Sequence, residues 1–201
     1  MATTLDVVND CLATLGETPL NTLLEPHEFK SAAQRQLAKE NRAVQQRGFW
    51  FNTEAMTMTP APSTGHCQLG GDIIKWESGT RARDTLVMNE PKPWIVQRGT
   101  RLYDTRNRTY SIDEPVDGQV VRLVPFEELP PVVNDYVAAQ TVLKFQSNFD
   151  ADNSRRQELG DAWKAAKIQF ESEHIRQTSV NSINNNERLM RIKSKVARRS
   201  N

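Results

Sequence analysis

Residues 130–177 constrain the fold more than any other part of the chain, because they read as two helices in direct succession. The first opens on Pro130 and Pro131, where a missing backbone donor costs nothing, and spaces Val132, Tyr136, Ala139 and Leu143 as one apolar stripe. The second starts behind Asp152, Asn153 and Ser154, three good capping residues, and repeats the spacing at Leu159, Trp163, Ala166 and Phe170. At about 1.5 Å rise per residue these are rods of roughly 27 and 39 Å. Asn148 to Ala151 is a short connection, so the rods fold back antiparallel. Two helices cannot hide both stripes by themselves, and the rest of the chain must cover them.

That cover is written at the other end. Thr4 is placed to cap a helix whose stripe is Leu5, Val8, Leu12 and Leu15, with Gly16 where a left-handed terminator belongs and Pro19 forbidding continuation. A second helix runs from about His27 to Arg47, with Phe29, Ala33, Leu37 and Val44 on one side and Gly48 after its end. Four narrow stripes of similar pitch fit a four-helix bundle built from both ends of the chain.

The texture changes between the halves. Phe49 to Leu129 holds six of the ten prolines and six of the nine glycines, with short β-type runs between them. Candidate strands are Glu54–Thr59, Asp72–Trp76, Thr85–Met88, Trp94–Val96, Arg101–Tyr103, Thr109–Ile112 and Val120–Val124, with hairpins around Arg98-Gly99 and around Thr105 to Arg108. The fold class is therefore α+β: a helical bundle of 1–48 and 130–180, an inserted antiparallel β domain of 49–129, and a basic C-terminal arm of 181–201. Phe49, Trp50, Phe51 and Phe126 are the expected bundle-to-β junction, since adjacent aromatics are too much apolar area to leave in water.

At 201 residues, 37% apolar and 25% charged, the chain has the composition of an ordinary globular protein. Its net charge of +1 gives no global attraction to nucleic acid or to an acidic membrane. The average hides an asymmetry. Residues 187–201 set Arg188, Arg191, Lys193, Lys195, Arg198 and Arg199 against Glu187, a local +5, so the other 186 residues are net −4. Thr178 to Asn186 is rich in Ser and Asn and reads as a linker to this arm. Within the arm Leu189, Ile192 and Val196 fall at helical spacing, which favours a docked protein partner over a purely electrostatic contact with nucleic acid.

Catalytic signatures are absent from the residues. His27, His66 and His174 are scattered, no metal-ligand spacing occurs, and neither a metal nor a cofactor is expected. Glu127 with Glu128, or Glu114 with Asp117, are carboxylate pairs of the kind a glycan hydrolase needs, but 25 acidic residues guarantee such pairs. Cys11 and Cys67 match no zinc or redox pattern and read as reduced thiols of a cytosolic protein. The start lacks a secretory pattern, and no run approaches a membrane span.

Four segments carry a resemblance to a known family. They are Val8-Asn9-Asp10 through Leu15-Gly16-Glu17 with Pro19 and Leu20; Gln46-Arg47-Gly48-Phe49-Trp50-Phe51-Asn52; Arg98-Gly99-Thr100-Arg101-Leu102-Tyr103-Asp104; and Arg122-Leu123-Val124-Pro125-Phe126-Glu127-Glu128-Leu129-Pro130. In this order, across residues 4–148, the chain resembles the tail tubular protein A family, the head-to-tail adaptors of short-tailed bacteriophages of the autographivirus type. The resemblance implies a structural protein without enzymatic activity, assembled in the host cytoplasm into the virion tail. Implied partners are its own copies in a dodecameric ring, the portal protein above, the hexameric tail nozzle (tail tubular protein B) below, and tail fibres near the nozzle junction. DNA would pass the channel without specific binding. The arm, through Arg188, Leu189, Arg191, Ile192, Lys193, Lys195, Val196, Arg198 and Arg199, would wedge against the portal; matching residues thin out after about Asp150. A tail-borne glycan hydrolase and a nucleic-acid-binding module acting through the arm are the alternative functions.

Overall fold

The computed structural model describes residues 1–78, 92, 94–149 and 152–185. They form helices α1 (Thr4–Thr14), α2 (Lys30–Gln45), α3 (Pro131–Phe149) and α4 (Asn153–Asn185), and strands β1 (Thr53–Met58), β2 (Ile73–Ser78), β3 (Ile95–Arg98), β4 (Arg101–Asp104) and β5 (Val116–Arg122). The protein is thus mixed helix and antiparallel sheet. Two compact units divide the chain: a helical one of Met1–Arg47 and Val124–Glu173, and a β-bearing one of Gly48–Leu123 with the chain from His174.

In the helical unit α1 is capped by Thr3, not Thr4. The Thr3 hydroxyl accepts the Asp6 N–H, while the Asp6 carboxylate accepts the Thr3 N–H at 2.8 Å, a reciprocal box that holds the Asp6 carboxyl below its ordinary range. The buried face of α1 is Val7, Val8, Cys11 and Leu12. At its other end the Arg155 guanidinium donates to the carbonyls of Ala13 and Thr14, two acceptors a helix C-terminus leaves open. α2 starts later than its periodicity predicts, at Lys30, because Pro26 and the His27 Nδ1 to Phe29 N–H contact fix a turn before it.

α1, α2 and α3 pack on one another around Leu12, Leu37, Val44, Val137 and Phe145, all buried. The buried side of α3 takes in Tyr136 from the expected stripe and extends beyond it. Val133, Val137, Thr141 and Phe145 are buried, whereas Val132, Ala139 and Leu143 are only half-buried. The reason is that α3 meets helices on more than one side, so its dry face is wider than a single stripe. α4 adds aromatic contacts to α3, with Phe170 stacked on Tyr136 at 5.1 Å and Trp163 tilted against the same ring at 6.4 Å. A polar relay also crosses three helices: Gln140 Nε2 donates to the buried Glu40, and Trp163 Nε1 donates to Gln140 Oε1 at 3.3 Å.

Amide side chains, two of them buried, join separate parts of this unit. Gln45 donates through Nε2 to the Val124 carbonyl at 2.8 Å and accepts the Val124 N–H at 2.8 Å. Asn134 does the same for Ala2, at 3.1 and 2.7 Å, and also reaches the Phe126 carbonyl at 3.0 Å. Asn9 grips the N–H and carbonyl of Leu20 at 2.8 and 2.9 Å.

In the β-bearing unit, β5 is the central strand of an antiparallel sheet ordered β1-β5-β2, and β3 and β4 form a two-stranded hairpin. Trp76, Val120, Leu102, Ile95 and Cys67 belong to its buried core. Asn52 closes the strand ends, accepting the Phe49 N–H at 2.8 Å and donating to the Arg122 carbonyl at 3.1 Å. Arg122 on β5 pairs with Glu54 at 2.8 Å and with Asp72, and the latter contact lowers the Asp72 carboxyl below its ordinary range. Thr109–Ile112, an expected strand, makes only isolated bridges, Asp104 to Thr109 and Ser111 to His66, because the intervening turn is stabilised by side chains and not by a ladder. Thr85–Met88 lies outside the described residues.

Gly118 on β5 lies beneath the Trp76 ring. A Cβ there would come within 2.6 Å of Trp76 Cη2 and of the Glu77 carbonyl oxygen. Gly118→Ala is therefore expected to destabilise the protein by about 1–3 kcal/mol, the usual cost of overpacking; urea unfolding measures it, and unchanged stability would show that ring and strand can move apart. Gln45→Ala takes the partner from the Val124 N–H and leaves the Val124 carbonyl only the longer contact from Asn41 Nδ2, at 3.3 Å. We expect a loss of about 2 kcal/mol, within the range for stranding buried polar groups, read from the same unfolding curves.

Candidate interaction surface

The outward side of the β3–β4 hairpin follows directly from strand alternation. Val96 pairs in register with Tyr103, and Arg98 with Arg101, so Val96, Arg98, Arg101 and Tyr103 share one face while Ile95 and Leu102 turn into the core, against which Trp94 also packs. On the hairpin and the turn after it, arginines lie over rings. The Arg98 guanidinium carbon is 3.7 Å from the Tyr103 ring centre, Arg101 is 4.4 Å from that of Tyr110, and Arg106 is 4.1 Å from that of Trp94. Tyr103 and Tyr110 meet edge to face at 4.9 Å, which ties the first two pairs together.

The turn after β4 supports this array. The Asp104 carboxylate accepts the backbone N–H groups of Arg106 and Asn107 at 2.7 and 2.9 Å and the Asn107 amide at 2.9 Å. Arg108 follows in the left-handed region at φ 55°, a conformation that costs a non-glycine residue roughly 1 kcal/mol. Asp104 is the one acidic residue in residues 94–110, against four arginines, and it is 7% exposed with its oxygens turned inward. Among the described residues none of Arg98, Arg101, Arg106 and Arg108 forms an ion pair. The charge of this face is therefore left for something else.

Beside it lies a pocket of about 290 Å³ lined by Lys92, Trp94, Asp104, Asn107, Asp113 and Glu114 among others. Two of its carboxylates have structural contacts. Glu114 pairs with Lys92 at 3.0 Å, Asp104 holds the turn, and nearby Asp117 accepts the Thr57 hydroxyl at 2.5 Å. Among the described residues no three His, Cys, Asp or Glu side chains gather as a metal site requires.

Of the four expected junction residues, the structure brings three together. Phe49 stacks on Phe51 at 6.0 Å, and Trp50 meets Phe51 edge-on at 5.2 Å. His174 joins them, edge-on to Phe49 at 5.1 Å and stacked on Trp50 at 5.6 Å, all within the β-bearing unit. Phe126 is buried in the helical unit, in a short 3-10 turn. His174, which sequence spacing left without a role, was detectable only as the next apolar-face position of the last helix, four residues after Phe170.

The arm residues Arg188, Leu189, Arg191, Ile192, Lys193, Lys195, Val196, Arg198 and Arg199 lie outside the described residues. What leads to them differs from expectation: α4 continues to Asn185, through the Ser- and Asn-rich stretch expected to be a linker. Once a helix is nucleated each further residue adds a hydrogen bond, so weak helix formers are carried along at its end. At 33 residues α4 is about 50 Å long. Among its described side chains only Phe170 is buried, and Ile168 and Ile175 are 64% and 62% exposed. No described helix is long and apolar enough to cross a membrane.

Cys11 and Cys67 are both free and buried. Burial, with a smaller contribution from Asp10, pushes the Cys11 thiol up to about 12, and burial also raises that of Cys67. Because the thiolate is the reactive form, neither sulfur should react with a disulfide reagent at neutral pH until the chain unfolds. Stopped-flow labelling in rising urea tests this; fast reaction of the native protein would contradict it.

Two comparisons bear on what these surfaces serve. A family model described as tail tubular protein matches residues 5–188. Tail tubular protein A of Klebsiella phage KP34 is 24% identical over 195 residues, covering 97% of this chain and 94% of that protein.

Proposed function

The chain belongs to the tail tubular protein family, a structural component of the phage virion tail, and from that premise we propose that it is the adaptor joining portal to nozzle. In this reading its copies form a dodecameric ring with heterologous side-to-side contacts that close on themselves. The portal protein sits above, the nozzle below, and tail fibres near the nozzle junction; DNA leaves through the central channel without specific binding.

The observation that carries the reading is the family match itself, which runs through both units and into the start of the arm. The exposure of α4 supports it. A helix this long with one buried described side chain is more surface than a free monomer needs, and neighbouring subunits would cover it. Charge is compatible as well. A +5 arm can grip an acidic neighbour while a body of net −4 leaves the channel unattractive to phosphate. Ordering many arms at once lets each contact stay weak.

Deleting residues 182–201 is expected to leave a folded protein that no longer binds portal, measured by native mass spectrometry of the protein alone and mixed with portal. Unchanged portal binding by the truncated chain would remove the arm from the interface. A full-length protein that forms neither a ring nor a portal complex would overturn the adaptor reading.

A further inference from the structure

We propose that the outward face of the β3–β4 hairpin, with the turn that follows it, is a docking site for another protein, whose Asp and Glu side chains pair with Arg98, Arg101 and Arg106. This goes beyond the adaptor reading and does not depend on the ring or on the arm.

Charge complementarity carries the choice of partner. Four arginines crowd one short hairpin and its turn, and the sole carboxylate among them is buried and fully engaged by N–H donors. Stacking matters as much as charge. A guanidinium lying flat on a ring has its orientation fixed, and its N–H donors remain free around the edge, the geometry that matches a carboxylate bidentately. Little side-chain freedom is left to lose on binding.

The same stacking argues against nucleic acid. Single strands are held by bases laid on aromatic faces, and here arginines already cover Tyr103, Tyr110 and Trp94. The strands are four residues each, a footprint of roughly 13 Å that spans little of a duplex. Trp, Tyr and Arg, by contrast, are the residue types that dominate the energetic centres of protein interfaces. Arg108 in its strained turn adds a fourth cation where glycine or asparagine would be the easier residue.

The test uses the full chain, with a short fluorescein-labelled glutamate-rich peptide as probe. Duplex DNA, a single-stranded oligonucleotide and polygalacturonate serve as competing polyanions. We expect the peptide to bind and to shift the side-chain Nε–H resonances of Arg98, Arg101 and Arg106 in the unmodified protein. In the triple variant Arg98→Lys, Arg101→Lys, Arg106→Lys the net charge is unchanged, yet stacking and bidentate pairing are lost, and affinity should fall about tenfold. If the triple variant melts early, the double variant Arg98→Lys, Arg106→Lys, changed at two exposed positions, should still show a several-fold loss. Equal affinity in the lysine variants, or shifts confined to the C-terminal arm, would overturn the proposal. So would tighter binding of DNA or polygalacturonate than of the peptide.

Discussion

The paired contact between the Gln45 amide and both backbone groups of Val124 is the constraint on which the architecture depends. The helical unit is made of two segments separated by the whole of Gly48–Leu123, and their association must overcome the loop-closure entropy of everything between. Apolar packing of α1, α2 and α3 supplies the drive but tolerates sliding. An amide that must satisfy one donor and one acceptor at a single residue does not, because a slip by one position strands buried polar groups. Asn134 fixes the N-terminus to α3 by the same device, and Asn9 fixes the turn after α1. In the β-bearing unit Asn52 performs the matching task at the strand ends. Each unit thus closes its own ends with a side-chain amide standing in for a β-ladder.

Much of this was legible in the residues, and the misses have physical causes. Helices announced themselves through apolar spacing and flanking Gly, Pro and capping residues, and the hairpin at Gly99 through alternation on either side. The dry face of α3 is wider than its apolar stripe, because a helix packed on several sides buries polar positions such as Asn134, Thr141 and Gln146, which apolar spacing does not mark. The amide clamps were invisible for the same reason: nothing about an isolated Gln or Asn says that its partner is a backbone far away in sequence. The extension of α4 through Ser and Asn is not written in local propensity, because it depends on the helix already formed before it. The arginine face is half legible. Alternation marks its residues as a hairpin, and only the register shows that Arg98, Arg101 and Tyr103 share one side.

Taken with family membership, these features describe a tail protein whose specificity is built from polar geometry laid over a modest apolar core. α4 leaves most of its described surface in water, and the hairpin leaves its cations without carboxylates among the described residues. Both are surfaces that a neighbouring molecule can cover. The adaptor reading gives α4 that role, and the hairpin adds a second direction in which a partner can be recognised by in-plane charge pairing.

The two cysteines have a different consequence. Each sulfur is enclosed in the interior of its own unit, Cys11 among the helices and Cys67 among the strands, with burial keeping both protonated. A tail component stays in air-saturated water for as long as the particle survives. With both sulfurs buried and protonated, the folded chain offers no thiolate through which disulfides to the surrounding tail components could accumulate.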